Sequence, residues 1–112
     1  MDNRIPLKVI SLSEELEYLL RNSIIKHPDG NKIELNPNVL LKLNDEISKK
    51  LKLCYTQGFM NVPIICRPDI RLYFRRLLEK NFPRLQVLSY MEITPNYRLE
   101  VITTINLDFI EN

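Results

Sequence analysis

Apolar and polar residues alternate with a period of two from Leu7 to Leu12, which predicts a strand with Leu7, Val9 and Ser11 on one face. Ser13 follows with an oxygen for the free N–H groups of a first turn, and Glu14 and Glu15 suit the positive end of a helix. Leu16, Leu19, Leu20 and Ile24 then recur at helical spacing, with Glu17 and Arg21 as an outward i,i+4 pair. The helix is expected to stop before His27-Pro28-Asp29-Gly30, a turn sequence. Lys32-Ile33-Glu34-Leu35 alternates briefly and suits a short edge strand.

Asn36-Pro37 marks the start of a second helix, because Asn accepts hydrogen bonds from first-turn N–H groups and Pro lacks a donor where none is needed. Leu40, Leu43, Ile47 and Leu51 form its apolar stripe; Lys42, Asp45, Lys49 and Lys52 lie opposite, and Gly58 ends the pattern. Val62-Pro63-Ile64-Ile65-Cys66 is a continuous apolar run of the kind buried on both faces in parallel sheets. Arg67-Pro68-Asp69 opens a third helix with Ile70, Phe74, Leu77 and Leu78 inward, closed by Phe82-Pro83, and Leu85–Tyr90 reads as the next strand. This strand–helix–strand unit implies a right-handed crossover and a parallel pair. Thr94-Pro95-Asn96 predicts a turn into an antiparallel strand over Arg98–Ile105, followed by a tail without pattern. The expected fold is α/β: a small mixed sheet of about four strands in the order β-α-α-β-α-β-β, with room for a short extra strand near Ile33, one parallel βαβ unit and a C-terminal antiparallel hairpin.

At 112 residues the chain is expected to form a single domain over 1–112. With 45% hydrophobic and 27% charged residues it has the composition of an ordinary soluble globular domain. No apolar run approaches the ~18 residues of a membrane span, and the N-terminus lacks a secretory pattern, so a cytosolic location is expected. Reactive groups are sparse. His27 is the only histidine and sits in a turn; Cys54 falls on an amphipathic helix and Cys66 inside an apolar strand, where a thiol acts as a small hydrophobe. One His and two separated Cys give no zinc spacing, and two glycines cannot build a phosphate-cradling loop. No catalytic residue, metal or cofactor is expected.

Charge is distributed unevenly although the total is only +2. From Arg67 to Arg84 there are six basic residues against two acidic ones, so the third helix carries a basic stripe. Arg71 and Arg75 stand one turn apart, with Arg76 beside them and Lys80 beyond. Such a face suits an acidic partner helix or a phosphate backbone, and a solvated helix face is the plainer alternative. A standalone basic α/β nucleic-acid-binding module would also want exposed aromatics, for which Tyr73 and Tyr97 are candidates. A small hydrolase or transferase is a weaker reading, since no nucleophile–base pair is recognisable.

Val62-Pro63-Ile64-Ile65-Cys66-Arg67-Pro68-Asp69-Ile70-Arg71, then Phe74-Arg75-Arg76-Leu77, Phe82-Pro83, and Leu85 through Val87-Leu88-Ser89-Tyr90-Met91-Glu92-Ile93 resembles the C-terminal end of the FHIPEP family, the large export-gate proteins of type III secretion. Leu7–Ile24 is similar to the start of that family's last cytosolic subdomain, and the resemblance spans roughly Leu7 to Ile105. Its most specific part is Ser-Tyr-x-Glu-Ile, where Met91 replaces the Asn of many members. Asp69-Ile70-Arg71 and Thr103-Thr104-Ile105 look more like virulence injectisome gates than flagellar ones.

The resemblance implies a docking platform with no catalytic residue in this region. It implies a membrane half outside this chain, with Met1 starting a truncated piece at the cytoplasmic face of the inner membrane. Implied partners are other copies in a nonameric ring, the stalk of the export ATPase and chaperone-bound substrates; nucleic acid is not among them. From charge, Arg71, Arg75, Arg76 and Lys80 are the expected partner contacts.

Overall fold

β1 (Ile5–Leu12) runs into Ser13, whose side-chain oxygen accepts the Leu16 N–H at 3.2 Å and starts α1 (Glu14–Asn22). The computed structural model describes residues 1–108; the C-terminal part of the patternless tail lies outside them. Ile24, expected on the helix stripe, instead begins β2 (Ile24–Ile25), which pairs antiparallel with β3 (Lys32–Ile33) across the His27–Gly30 turn. The helix stops earlier because β3 takes up the backbone that would continue it: the Ser23 N–H closes on the Leu20 carbonyl at 3.1 Å, and the Ser23 carbonyl accepts the Glu34 N–H at 2.9 Å. Asn36 caps α2 (Pro37–Thr56) as its sequence predicts, accepting the Asn38 N–H at 2.9 Å. β4 (Ile64–Cys66), α3 (Pro68–Leu78), β5 (Val87–Ser89), a single-turn α4 (Tyr90–Ile93) and β6 (Tyr97–Ile105) complete the order.

Four strands form one sheet in the order β5-β4-β1-β6, and β2 and β3 form a second, two-stranded one. The expected βαβ unit is present: β4 and β5 are parallel and α3 crosses between them. The C-terminal strand corrects the sequence expectation, because β6 makes no hairpin with β5 but lies parallel to β1 at the opposite edge. Period-two alternation carries no information on direction, and the parallel register brings side chains of the two strands together. Lys8 reaches Glu100 at 3.0 Å, and the Ser11 and Thr104 hydroxyls stand 2.6 Å apart. A bulge at Ile102 shifts the register between Val9 and Ile10.

β1 is therefore interior to the sheet where it pairs β4 as well as β6, and Val9 and Ile10 on its two faces are both fully buried. The expectation of one buried face fails there for that reason. β4 behaves as its apolar run predicts, with Ile64, Ile65 and Cys66 wholly inaccessible. α3 packs on α1 and β5, α2 packs on β6, and Phe74, Leu16, Leu20, Leu43 and Ile47 fill the core between the layers. Ser-Tyr-Met-Glu-Ile is not the end of a longer strand. Ser89 and Glu92 form a reciprocal capping box that ends β5 and turns the chain into α4.

Candidate functional site

Spacing puts Ile70, Phe74 and Leu78 of α3 into the core, which leaves its arginines on the outer side. The structure divides the four predicted partner residues into two pairs. The Nε of Arg71 donates to the Val87 carbonyl at 3.1 Å and faces the Glu92 carboxylate at 3.3 Å. That same carboxylate oxygen accepts the Ser89 N–H at 2.7 Å, so Arg71 fastens α3 to the β5–α4 junction. Arg75 donates to the Pro83 carbonyl at 3.2 Å and approaches Glu79 at 3.6 Å, tying α3 to the segment that follows it. Arg76 and Lys80 are exposed and have no hydrogen-bond or ion-pair partner among the described residues.

At the other end of α3, Asp69 receives Arg67 at 3.1 Å and Arg21 at 3.0 Å, and these guanidinium groups, Arg67 foremost, hold its carboxyl below the usual range. Glu17 from α1 is buried beside them, and burial pushes its pKa up although the Arg67 N–H bond opposes this. The capping box and Glu17 shape the site although neither is among the expected contact residues. The spacing Ser-x-x-Glu carries the capping signal, whereas Glu17 reads as an outward helix residue until α3 is placed against α1.

Burial drives the Cys66 thiol up to about 12, with the Glu17 carboxylate adding to the effect, and burial also raises Cys54. Thiols so protonated are poor nucleophiles. His27 braces its own turn, its Nδ1 accepting the Asp29 N–H at 3.2 Å. Among the described residues no three His, Cys, Asp or Glu side chains converge as metal ligands, and no helix is long and apolar enough to cross a membrane. Tyr73 and Tyr97 are both half-buried, and Tyr73 packs against the core, so neither stands clear as a stacking platform.

The model of the FHIPEP family matches residues 1–98. The flagellar biosynthesis protein FlhA of Bacillus subtilis is 27% identical over 101 residues, covering 90% of this chain and 15% of its own length. The invasion protein InvA of Salmonella typhimurium is 28% identical over 99 residues, covering 88% and 14%. The crystal structure of the C-terminal domain of InvA shares the fold at a TM-score of 0.76 and 27% identity, covering 89% of this chain and 30% of that one. The nonameric EscV cytosolic domain from the type III secretion system gives a TM-score of 0.62 at 27% identity, covering 90% and 29%. The chain thus spans about one seventh of the curated relatives' length.

Proposed function

The chain belongs to the FHIPEP family, and from that premise we propose that it is the last cytosolic subdomain of a type III export gate and serves as a non-enzymatic docking surface. The family match carries this reading, since it extends from before β1 to the start of β6 and so takes in the basic helix. Injectisome and flagellar proteins both stand among the relatives. The Asp69-Ile70-Arg71 and Thr103-Thr104-Ile105 sequences favour the injectisome. Within the full-length protein the subdomain assembles with other copies as a ring and meets the ATPase stalk and chaperone-bound substrates, while the membrane is reached through the rest of that protein.

The basic helix supplies the contacts. Arg76 and, just past the helix, Lys80 present cations without a partner among the described residues, and Arg71 and Arg75 contribute by fastening the first part of α3 to β5 and its last turn to the Pro83 segment. Exposed charges of this kind steer association with an acidic partner more than they add to final affinity. The test is the binding of the stalk protein from the same secretion system to wild type and to an Arg76→Glu, Lys80→Glu variant across a salt series. The variant is expected to associate more slowly and with a flatter salt dependence. Unchanged kinetics would contradict a docking role for this face.

A further inference from the structure

A groove of about 740 Å³ opens between the end of α2 and the approach to β5, and neither Arg76 nor Lys80 lines it. Its walls are apolar: Tyr55, Phe59 and Met60 on one side, Phe82, Pro83 and Leu85 on the other. Tyr55 is 65% and Met60 70% exposed, so large apolar side chains face water side by side. An exposed apolar surface of this kind, rimmed by polar groups, marks a place where another molecule sits. Lys52 and Arg84 stand on its rim, and among the described residues no carboxylate lines it. The two segments that build the walls, residues 47–68 and 80–91, contain neither Asp nor Glu, and Glu100 comes near only through Lys8, which it pairs at 3.0 Å and whose Nζ lies 5.0 Å from the Phe59 ring centre.

Both walls are fixed before anything binds. After α2 the chain reverses through Gly58 at φ +89°, with the Phe59 N–H bonded to the Cys54 carbonyl at 2.9 Å. Asn61, at φ +56°, holds the left-handed conformation that few non-glycine residues adopt. Opposite, the Phe82 N–H bonds to the Leu78 carbonyl at 2.8 Å, and Arg75 grips the Pro83 carbonyl at 3.2 Å. A preformed groove spares an incoming chain the entropy of ordering it.

We propose that this groove binds a short acidic segment of a partner protein, which inserts apolar anchors between Tyr55, Met60 and Pro83 and sets its carboxylates against Lys52 and Arg84. Charge selects this occupant. A second copy placed symmetrically over the groove would bring two cationic rims together, a like-charge juxtaposition that opposes docking. The proposal stands apart from the basic face of α3 and does not depend on its docking role.

The test is a phage-displayed library of random short peptides selected on the 112-residue chain, followed by measurement of the winners on the full-length protein. Enriched peptides are expected to combine acidic residues with aromatic or aliphatic anchors. Their binding should weaken about tenfold or more with Met60→Asp, as for loss of a central anchor. It should weaken similarly with Lys52→Glu plus Arg84→Glu, which changes only charge and leaves the apolar walls in place. Circular dichroism and denaturation midpoints of both variants should match wild type, since all three side chains are exposed. Enrichment of basic peptides, no enrichment, or winners indifferent to both variants would overturn the proposal. So would peptides that bind the chain but not the full-length protein, which would give the groove to another part of the same polypeptide, or a dimer that the Met60→Asp change dissolves.

Discussion

Glu17 Oε2 accepts the backbone N–H of Arg67 at 2.7 Å, so a carboxylate carried by α1 serves the residue that precedes α3. Arg67 has no side-chain capping bond of its own, and its guanidinium is engaged instead with Asp69. The two helices are thereby joined where the buried strand β4 gives way to the basic helix.

Glu17→Leu should lower stability by about 1–3 kcal/mol, because it strands a polar N–H that folding has taken from water. Glu17→Gln keeps an acceptor and should lose less. Chemical denaturation of both variants checks the ordering, and equal losses would mean that the bond contributes nothing beyond packing.

The same residue sets a pH dependence. Its folded pKa is raised, so the native state holds a proton that the unfolded chain releases, and stability falls as pH rises between the unperturbed value of about 4.3 and the raised folded value. Asp69 acts in the opposite direction at lower pH, since its depressed pKa stabilises the fold above its unfolded value and that contribution is lost on acidification. Wild type should therefore gain stability relative to Glu17→Gln as pH falls from neutral toward the unperturbed carboxylate value. Parallel stability–pH curves for the two proteins would show that Glu17 titrates normally.

Phe74 is wholly buried between α3 and the sheet, and Phe74→Ala should cost about 3–5 kcal/mol through lost transfer energy and an incompletely collapsed cavity. An unchanged denaturation midpoint would contradict that placement.

The basic stripe should divide in stability as it divides in contacts. Arg71→Ala and Arg75→Ala remove bonds to Val87, Glu92 and Pro83 and should each cost about 1–2 kcal/mol, whereas Arg76→Ala and Lys80→Ala should stay within about 0.5 kcal/mol. Thermal or chemical denaturation of the four single variants distinguishes the pairs.

That division marks where sequence reading stops. Ser13 and Asn36-Pro37 were legible because a cap is made within a few residues of itself, and β4 because an unbroken apolar run demands cover on both faces. Ile24 fits a helical stripe and a strand equally well, and pairing with Ile33, brought back by the turn, decides between them. The direction of β6 is invisible in its own alternation, because its partner β1, which it meets at Lys8 and Ser11, lies some ninety residues away. Arg71 and Arg76 are the same residue type on one helix, and only Val87 and Glu92, brought back by the crossover, give one of them a structural duty. The apolar groove was signalled by Tyr55, Phe59 and Met60 around Gly58, but its second wall comes from Phe82 and Pro83 and emerges only on folding.

The most direct test of the docking role is secretion by the full-length gate carrying Arg76→Glu and Lys80→Glu, measured beside the level of the protein in the membrane. Export of type III substrates should fall sharply while the amount of gate stays at the wild-type level, because both side chains are exposed and unpartnered among the described residues. Normal secretion from a gate present at normal levels would contradict the docking role and leave this end of the helix as solvated surface.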